Sequence, residues 1–397
     1  MVQFSSPRRR QGWRIPSIVA GFLTVCIVCV VTFTITFRLA PPEKIVSNTI
    51  LKLVPLPAEK HIVPPKEKES IIAPKIEQVY NTPGFVILGM HRSGTSYLSG
   101  LLTIGCQYNV GDNLMQNKPD NPKGFFERWD VANQNENWFG DQHMGWESKR
   151  LIKFDLKRAF EYQNPWKTIV EENVQLSREK NKTNKHKYPG MRTLDFMLNP
   201  QNVPWLVKEP RLCITYNLWL DMFDQAISHY SNQNGHKQIN RPAIIFTYRH
   251  PIEVAESIYK RDRSISINHG LQLWLIYNQR ALEHSSSSCR IYSSNTAITQ
   301  NPLLEIRRIS QELTNQCGVP PPPKQIEQQD INQFFEDRLQ HNTKTPLEYD
   351  NEDCFDVEYE NVEVRYKRLK HTKDAIQVFC DLKFGVAFEP DYQWPFI

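Results

Sequence analysis

The chain has 397 residues, 40% of them hydrophobic and 23% charged, with a formal net charge of +5. This balance excludes a wholly disordered chain and a multi-span membrane protein, and the length suits one large catalytic domain with a tail. The positive charge is mild and spread out, without basic stripes or interleaved aromatics, so nucleic acid is not expected as a partner.

In chain order, residues 17–37 (SIVAGFLTVCIVCVVTFTITF) come first and run without a charge. About 20 apolar residues in a helix cross the roughly 30 Å of a bilayer's hydrocarbon. Arg8, Arg9, Arg10 and Arg14 precede the stretch, whereas Arg38 alone follows it before Glu43 and Lys44. The positive-inside rule therefore keeps the N-terminus cytoplasmic and sends the rest of the chain into a lumen. A cleaved signal peptide, the competing reading, would have a shorter apolar region and a small-residue cleavage site, where Thr36-Phe37-Arg38-Leu39 stands instead. Residues 38–80 hold Pro41, Pro42, Pro55, Pro57, Pro64, Pro65 and Pro74 among alternating lysines and glutamates, which block helix and sheet and read as a semi-extended stem. The expected organisation is a tail at 1–16, a transmembrane signal anchor at 17–37, a Pro/Lys/Glu-rich stem at 38–80 and a lumenal domain at 81–397.

Of eight cysteines, Cys26 and Cys29 fall in the span and six follow it. An oxidising lumen allows disulfides among the six; Cys289 with Cys317 or Cys354 with Cys380 are local candidates, and the connectivity stays open. No Cys/His spacing points to zinc, and no metal is expected. Asn181-Lys182-Thr183, in a lysine-rich polar run, is a glycosylation acceptor.

Phe85-Val86-Ile87-Leu88 is a short apolar run, followed by Gly89-Met90-His91-Arg92-Ser93-Gly94-Thr95-Ser96 and by Tyr97, Leu98, Leu101 and Leu102 at helical spacing. The pattern predicts strand, glycine loop and helix, whose amides and N-terminus converge on one spot suited to phosphate. The frame is that of GxxxxGK[ST], except that Thr95 stands where the lysine belongs. Hydrolysis of a nucleoside triphosphate would lose its main cation there, and Arg92 places a positive charge elsewhere. A second unit follows. Ala243 to Tyr248 (AIIFTY) reads as a strand, then Arg249-His250-Pro251 leads into a helix with Ile252, Ala255 and Ile258 on one face.

Arg92-Ser93-Gly94-Thr95-Ser96 resembles the 5′-phosphosulfate loop of the sulfotransferases, in the branch with a GMHRSGTS loop. Arg249 with Ser257 eight positions later matches the family's grip on the 3′-phosphate. The resemblance implies an α/β, three-layer P-loop sulfotransferase-like domain with a central, mainly parallel sheet, preceded here by the single N-terminal transmembrane helix. It implies 3′-phosphoadenosine-5′-phosphosulfate (PAPS) as co-substrate. Amides of residues 93–96, including Gly94, with the Thr95 and Ser96 hydroxyls would then hold the 5′-phosphate, and Arg92 would face the sulfate. It also implies Golgi residence.

Asn121-Pro122-Lys123-Gly124-Phe125-Phe126-Glu127 resembles a stretch of the same branch, and related carbohydrate sulfotransferases place the base that takes the acceptor's proton in this segment. Glu127 is the expected base, against a structural role as a helix cap or a partner of Arg128; His143 and Asp130 are reserves. Trp205-Leu206-Val207 predicts a third strand ending in Lys208-Glu209-Pro210-Arg211, where Lys208 and Arg211 stand at converging strand ends, placed to contact sulfate or an anionic acceptor, with Lys208 expected among the catalytic residues; the structural alternative is that Glu209 neutralises them. Trp274 sits in a dense apolar stripe and reads as helix core. A short strand from Ile291 and a helix after Asn301-Pro302 follow, and a helix around 366–382 carries no assignable motif.

The expected activity is sulfuryl transfer from PAPS to an acceptor hydroxyl or amine of an unidentified glycan, protein or small metabolite. A type II membrane glycosyltransferase would share the anchor and stem, but its usual Asp-x-Asp is absent from the sequence. A non-catalytic lumenal protein with a relict nucleotide pocket is the other alternative.

Overall fold

A computed structural model describes residues 82–117, 121, 123–162, 189–234, 240–334, 350 and 352–395. The expected tail, anchor and stem and the 181–183 acceptor lie outside the described residues. Among those described, no helix is long and apolar enough to cross a membrane.

Four strands form one sheet: β1 (Gly84–Leu88), β2 (Trp205–Lys208), β3 (Ala243–Tyr248) and β4 (Arg290–Ser294), in the order β2-β1-β3-β4. Every pairing is parallel, and Phe85 lies opposite both Leu206 and Ala243. All residues of β1, β2 and β3 are buried, as expected for apolar strands covered on both faces.

Side-chain alternation divides the core into two layers. Val86, Leu88, Val207, Ile244 and Phe246 face one apolar cluster, and Phe85, Ile87, Leu206, Ala243 and Ile245 face the other. After β1 come α1 (Thr95–Gly100), α2 (Trp129–Asp141), α3 (Leu156–Tyr162) and α4 (Pro189–Leu198). Helix α5 (Leu212–Asn234) leads to β3, and α6 (Pro251–Arg261) and α7 (Ile267–His284) lead to β4. The first cluster draws on α2, α5, α6 and α7, and Trp274 of α7 is fully buried in it. The second draws on α1, on α9 (Pro302–Asn315), which follows α8 (Asn295–Gln300), and on α10 (Gln328–Phe334). The expected three layers and parallel sheet are present.

The C-terminal region departs from expectation. In place of one helix around 366–382, the chain forms α11 (Cys354–Asn361), the single turn α12 (Val364–Lys367) and α13 (Thr372–Lys383). The Thr372 hydroxyl donates to the Tyr366 carbonyl at 2.6 Å, a side-chain bond of the kind that competes with a continuous helix. Both local cysteine candidates are disulfides: Cys289–Cys317 and Cys354–Cys380, with Cα separations of 5.5 and 5.9 Å. Cys106 and Cys213 are buried free thiols.

Candidate active site

The turn after β1 is shaped by backbone conformation. A Cβ at Gly89 would stand 2.6 Å from the Thr247 carbonyl oxygen, so only glycine lets the loop leave this close to β3. Arg92 at φ 70° and Gly94 at φ 84° are both left-handed. Glycine adopts this at no steric cost, whereas for arginine it costs about 1–3 kcal/mol that the surroundings must offset. The Ser93 amide donates to the Met90 carbonyl at 3.1 Å and closes the turn, so that amide is already engaged within the loop. Helix α1 begins at Thr95 with no side chain capping its N-terminus, which leaves its first amides suited to an anion. The buried hydroxyls of Ser93 and Thr247 have no hydrogen-bond partner.

This loop joins the turn after β3. Arg92 Nε donates to Ser257 Oγ at 2.9 Å across 165 positions, and Arg249 Nη1 donates to the Arg92 carbonyl at 3.3 Å across 157. Arg249 Nε is held by Glu253 Oε2 at 2.7 Å, one helical turn on. The Trp274 indole donates to the Arg249 carbonyl at 3.0 Å, so this core residue also fixes the turn.

On the other flank, Lys208 at the end of β2 donates to Ser96 Oγ at 3.0 Å, to the Phe125 carbonyl at 3.3 Å and to Glu127 Oε1 at 2.5 Å. The Lys208 side chain is 1% exposed and that of Glu127 9%. Two opposite charges so far from water are tolerable only together. The structural alternative for Glu127, a pair with Arg128, is not formed. Arg128 instead grips both oxygens of Asp130 at 3.1 and 2.8 Å, donates to the Val110 carbonyl and lies over the Phe196 ring. Asp130 is thereby committed to a buried pair, and His143 is exposed in the turn after α2 with its carbonyl bonded by Arg150. Glu127 is the candidate base that touches the loop's own partners.

Glu209 is fully buried and bonds to Arg211, whereas Lys208 bonds to Glu127: Glu209 accepts from Arg211 Nε at 2.7 Å and from Asn135 Nδ2 at 2.5 Å. Burial first, and the Glu127 charge next, push its carboxyl well above the usual range. Arg211 also pairs with Glu136 of α2, and burial lowers its guanidinium.

Two participants were missed by sequence reasoning. His91 packs its ring on Trp146 at 4.6 Å and Tyr277 at 5.9 Å, and its buried Nε2 has no partner. Burial, then the charges of Arg211 and Lys208, hold it well below pKa 6.5, so it is a neutral hydrogen-bonding group in a cation-rich site. Its only sequence signal was its place beside Arg92 within the glycine loop. Asn295, just after β4, backs onto Gly94 so closely that any Cβ there would collide with its Nδ2; nothing in its local sequence marks it. Among the described residues, no three His, Cys, Asp or Glu side chains are grouped to hold a metal ion.

The structure therefore brings Arg92, Ser93, Gly94, Thr95, Ser96, Glu127, Lys208, Arg249 and Ser257 into one connected cluster at the C-terminal ends of β1, β2 and β3. No family model matches the chain, and no curated protein sequence matches it. Among solved structures it is similar to the sulfotransferase domain from the curacin biosynthetic pathway, at 13% identity and TM-score 0.39 over 79% of this chain and 100% of that one. It is likewise similar to the sulfotransferase domain from the Synechococcus PCC 7002 olefin synthase, at 12% identity and TM-score 0.37 over 80% of this chain and 97% of that one. Similarity at this level carries no functional assignment.

Proposed function

We propose that the chain is a sulfotransferase that moves a sulfuryl group from PAPS to an acceptor hydroxyl or amine. The observation that carries this reading is the contact between the two cationic turns: Arg249 and Ser257 both bond to Arg92, from a loop whose phosphate frame lacks the nucleotidase lysine. A ligand gripped by both turns carries an anionic group at each end, as a 3′,5′-bisphosphorylated adenosine does. Guanidinium forks and a hydroxyl suit phosphate oxygens.

In this reading, the amides at the start of α1 with Thr95 and Ser96 hold the 5′-phosphate, and Arg249 with Ser257 holds the 3′-phosphate. The acceptor oxygen attacks sulfur, the bond from sulfur to the 5′-phosphate oxygen breaks, and adenosine 3′,5′-bisphosphate leaves. Arg92 stabilises the charge growing on the leaving group. Lys208 touches both the loop hydroxyl of Ser96 and the carboxylate of Glu127. As charge grows on the leaving oxygen, its ammonium turns towards the loop and frees Glu127 to accept the acceptor's proton.

We place the enzyme in the Golgi membrane as a single-pass type II protein, anchored by 17–37 with its catalytic domain lumenal. The two disulfides support an oxidising compartment. The test is titration of the full chain with PAPS and with nucleotide sugars, followed by ³⁵S transfer to a panel of glycans, peptides and small metabolites. Binding of PAPS with label transfer is expected. Binding of a nucleotide sugar alone would establish the glycosyltransferase alternative, and PAPS binding without transfer to any acceptor would establish the non-catalytic one.

A further inference from the structure

The turn that carries Arg249 is held from behind by the C-terminal helices α11 to α13. Tyr248, immediately before Arg249, donates its hydroxyl to the Leu382 carbonyl of α13 at 3.3 Å. His250, immediately after it, caps no amide of α6 with its side chain. Its ring instead packs on Phe379 of α13 at 4.9 Å, and its Nε2 lies 3.5 Å from Glu358 Oε2 of α11. Glu256, immediately before Ser257, accepts from the Tyr366 hydroxyl of α12 at 2.7 Å. The Cys354–Cys380 disulfide ties the start of α11 to α13, so these contacts come from one cross-linked unit.

Geometry gives the Tyr366 contact its consequence. Consecutive helical residues point about 100° apart, so Glu256 faces the C-terminal unit while Ser257 faces the loop, where it accepts from Arg92. The Tyr366 bond, with Arg365 4.0 Å from the same carboxylate oxygen, anchors this face of α6 to the C-terminal unit and so helps set where the Ser257 hydroxyl stands. Tyr248 and His250, on either side of Arg249, fix the path of the backbone that launches the guanidinium.

We propose that the disulfide-closed unit α11–α13 positions the 3′-phosphate half of the donor site, with Tyr366 as the positioning residue that orients Ser257 through Glu256. This rests on the reading of the site as a PAPS site. The Tyr366 hydroxyl bonds to Glu256 and acts on Ser257 at one remove.

The test compares affinities of the full chain for adenosine 3′,5′-bisphosphate and adenosine 5′-monophosphate, which differ only at the group this unit is said to serve. In the unaltered protein the bisphosphate binds more tightly. In Tyr366→Phe that preference is expected to fall by about tenfold, the scale of one misplaced charge-assisted hydrogen bond, while monophosphate affinity stays unchanged. Cys354→Ser with Cys380→Ser is expected to reduce the preference in the same way. Tyr392→Phe removes a hydroxyl that bonds to Asp381 of α13 and not to a residue of α6, and should leave the preference intact. General loosening of the fold would weaken both nucleotides together and overturn the proposal, as would an unchanged preference in Tyr366→Phe and the double serine variant. If the unaltered protein binds neither nucleotide or shows no preference, the donor-site reading itself fails, which is a distinguishable result.

Discussion

The two cationic turns of the site are built by different means. The turn after β1 is defined by its own backbone: two left-handed residues, a glycine pressed against β3, and a helix that starts at once. The turn after β3 has ordinary conformation, and its arginine is held by Glu253, by the indole of α7 and by neighbours bonded to the C-terminal helices. The first takes its shape from its own backbone, although Arg92 is tied to the second turn across 157 and 165 positions. The second depends on residues more than 100 positions away, as the separations of 110 and 134 to Tyr366 and Leu382 show.

The largest effect that would sharpen this contrast is expected from removing the cations themselves. Arg92→Ala and Arg249→Ala should each lower PAPS-dependent turnover by at least about 100-fold, the usual scale for loss of a preorganised charge stabiliser, with far-UV spectra unchanged. Normal turnover in either would break the assignment.

Next is the buried pair that flanks the loop. Lys208→Met alone strands the Glu127 carboxylate, and Glu127→Gln alone strands the ammonium; each should cost about 3–5 kcal/mol in urea unfolding. The double variant should regain much of that stability and none of the activity. Two small, additive losses would mean that the pair is better hydrated than its burial indicates.

Gly94→Ala attacks the local turn directly. The substitution meets an unfavourable φ and a collision with Asn295, so a loss of about 1–3 kcal/mol is expected, together with weaker binding of adenosine 5′-monophosphate. An equal Gly→Ala change at Gly140 of α2, where a Cβ would meet nothing within 4 Å, provides the contrast and should be neutral to stabilising by up to about 1 kcal/mol.

The last expected effect, no larger than that of Gly94→Ala at any pH, is a pH dependence shared by neither turn. Burial pulls His284 down to about 4, so the unfolded chain takes up a proton below about pH 6.5 that the folded chain refuses. The contribution of His284 to stability should be flat above pH 6.5 and fall as the pH drops towards 4, by at most about 3 kcal/mol. His284→Gln should flatten that slope in unfolding titrations; an unchanged slope would show that other groups carry it.

Much of this architecture was legible because it is written in short stretches. Apolar runs of three to six residues before glycine or a charged turn announced β1, β2 and β3, and the strand ends carried Arg92, Lys208 and Arg249 with them. Periodicity also placed Trp274 in the core. What periodicity could not do was say where a helix breaks when side-chain bonds intervene, so the single helix expected around 366–382 became α12 and α13. Charge pairing was equally opaque: Glu127 next to Arg128 in sequence pairs with Lys208 in space, and Arg128 turns to Asp130. Adjacent residues at the start of a helix point in different directions, so adjacency does not establish contact.

The amino-acid order alone thus determined the strands, the phosphate-type loop and the types of side chain at each strand end, since those features depend on local conformation and hydrophobic pattern. Which cation meets which carboxylate, that His91 is a neutral group with an unpartnered nitrogen, and that the C-terminal helices brace the Arg249 turn were decided by the tertiary structure. Desolvation and hydrogen-bond pairing depend on everything packed around a group, and the residues that pack there come from all along the chain.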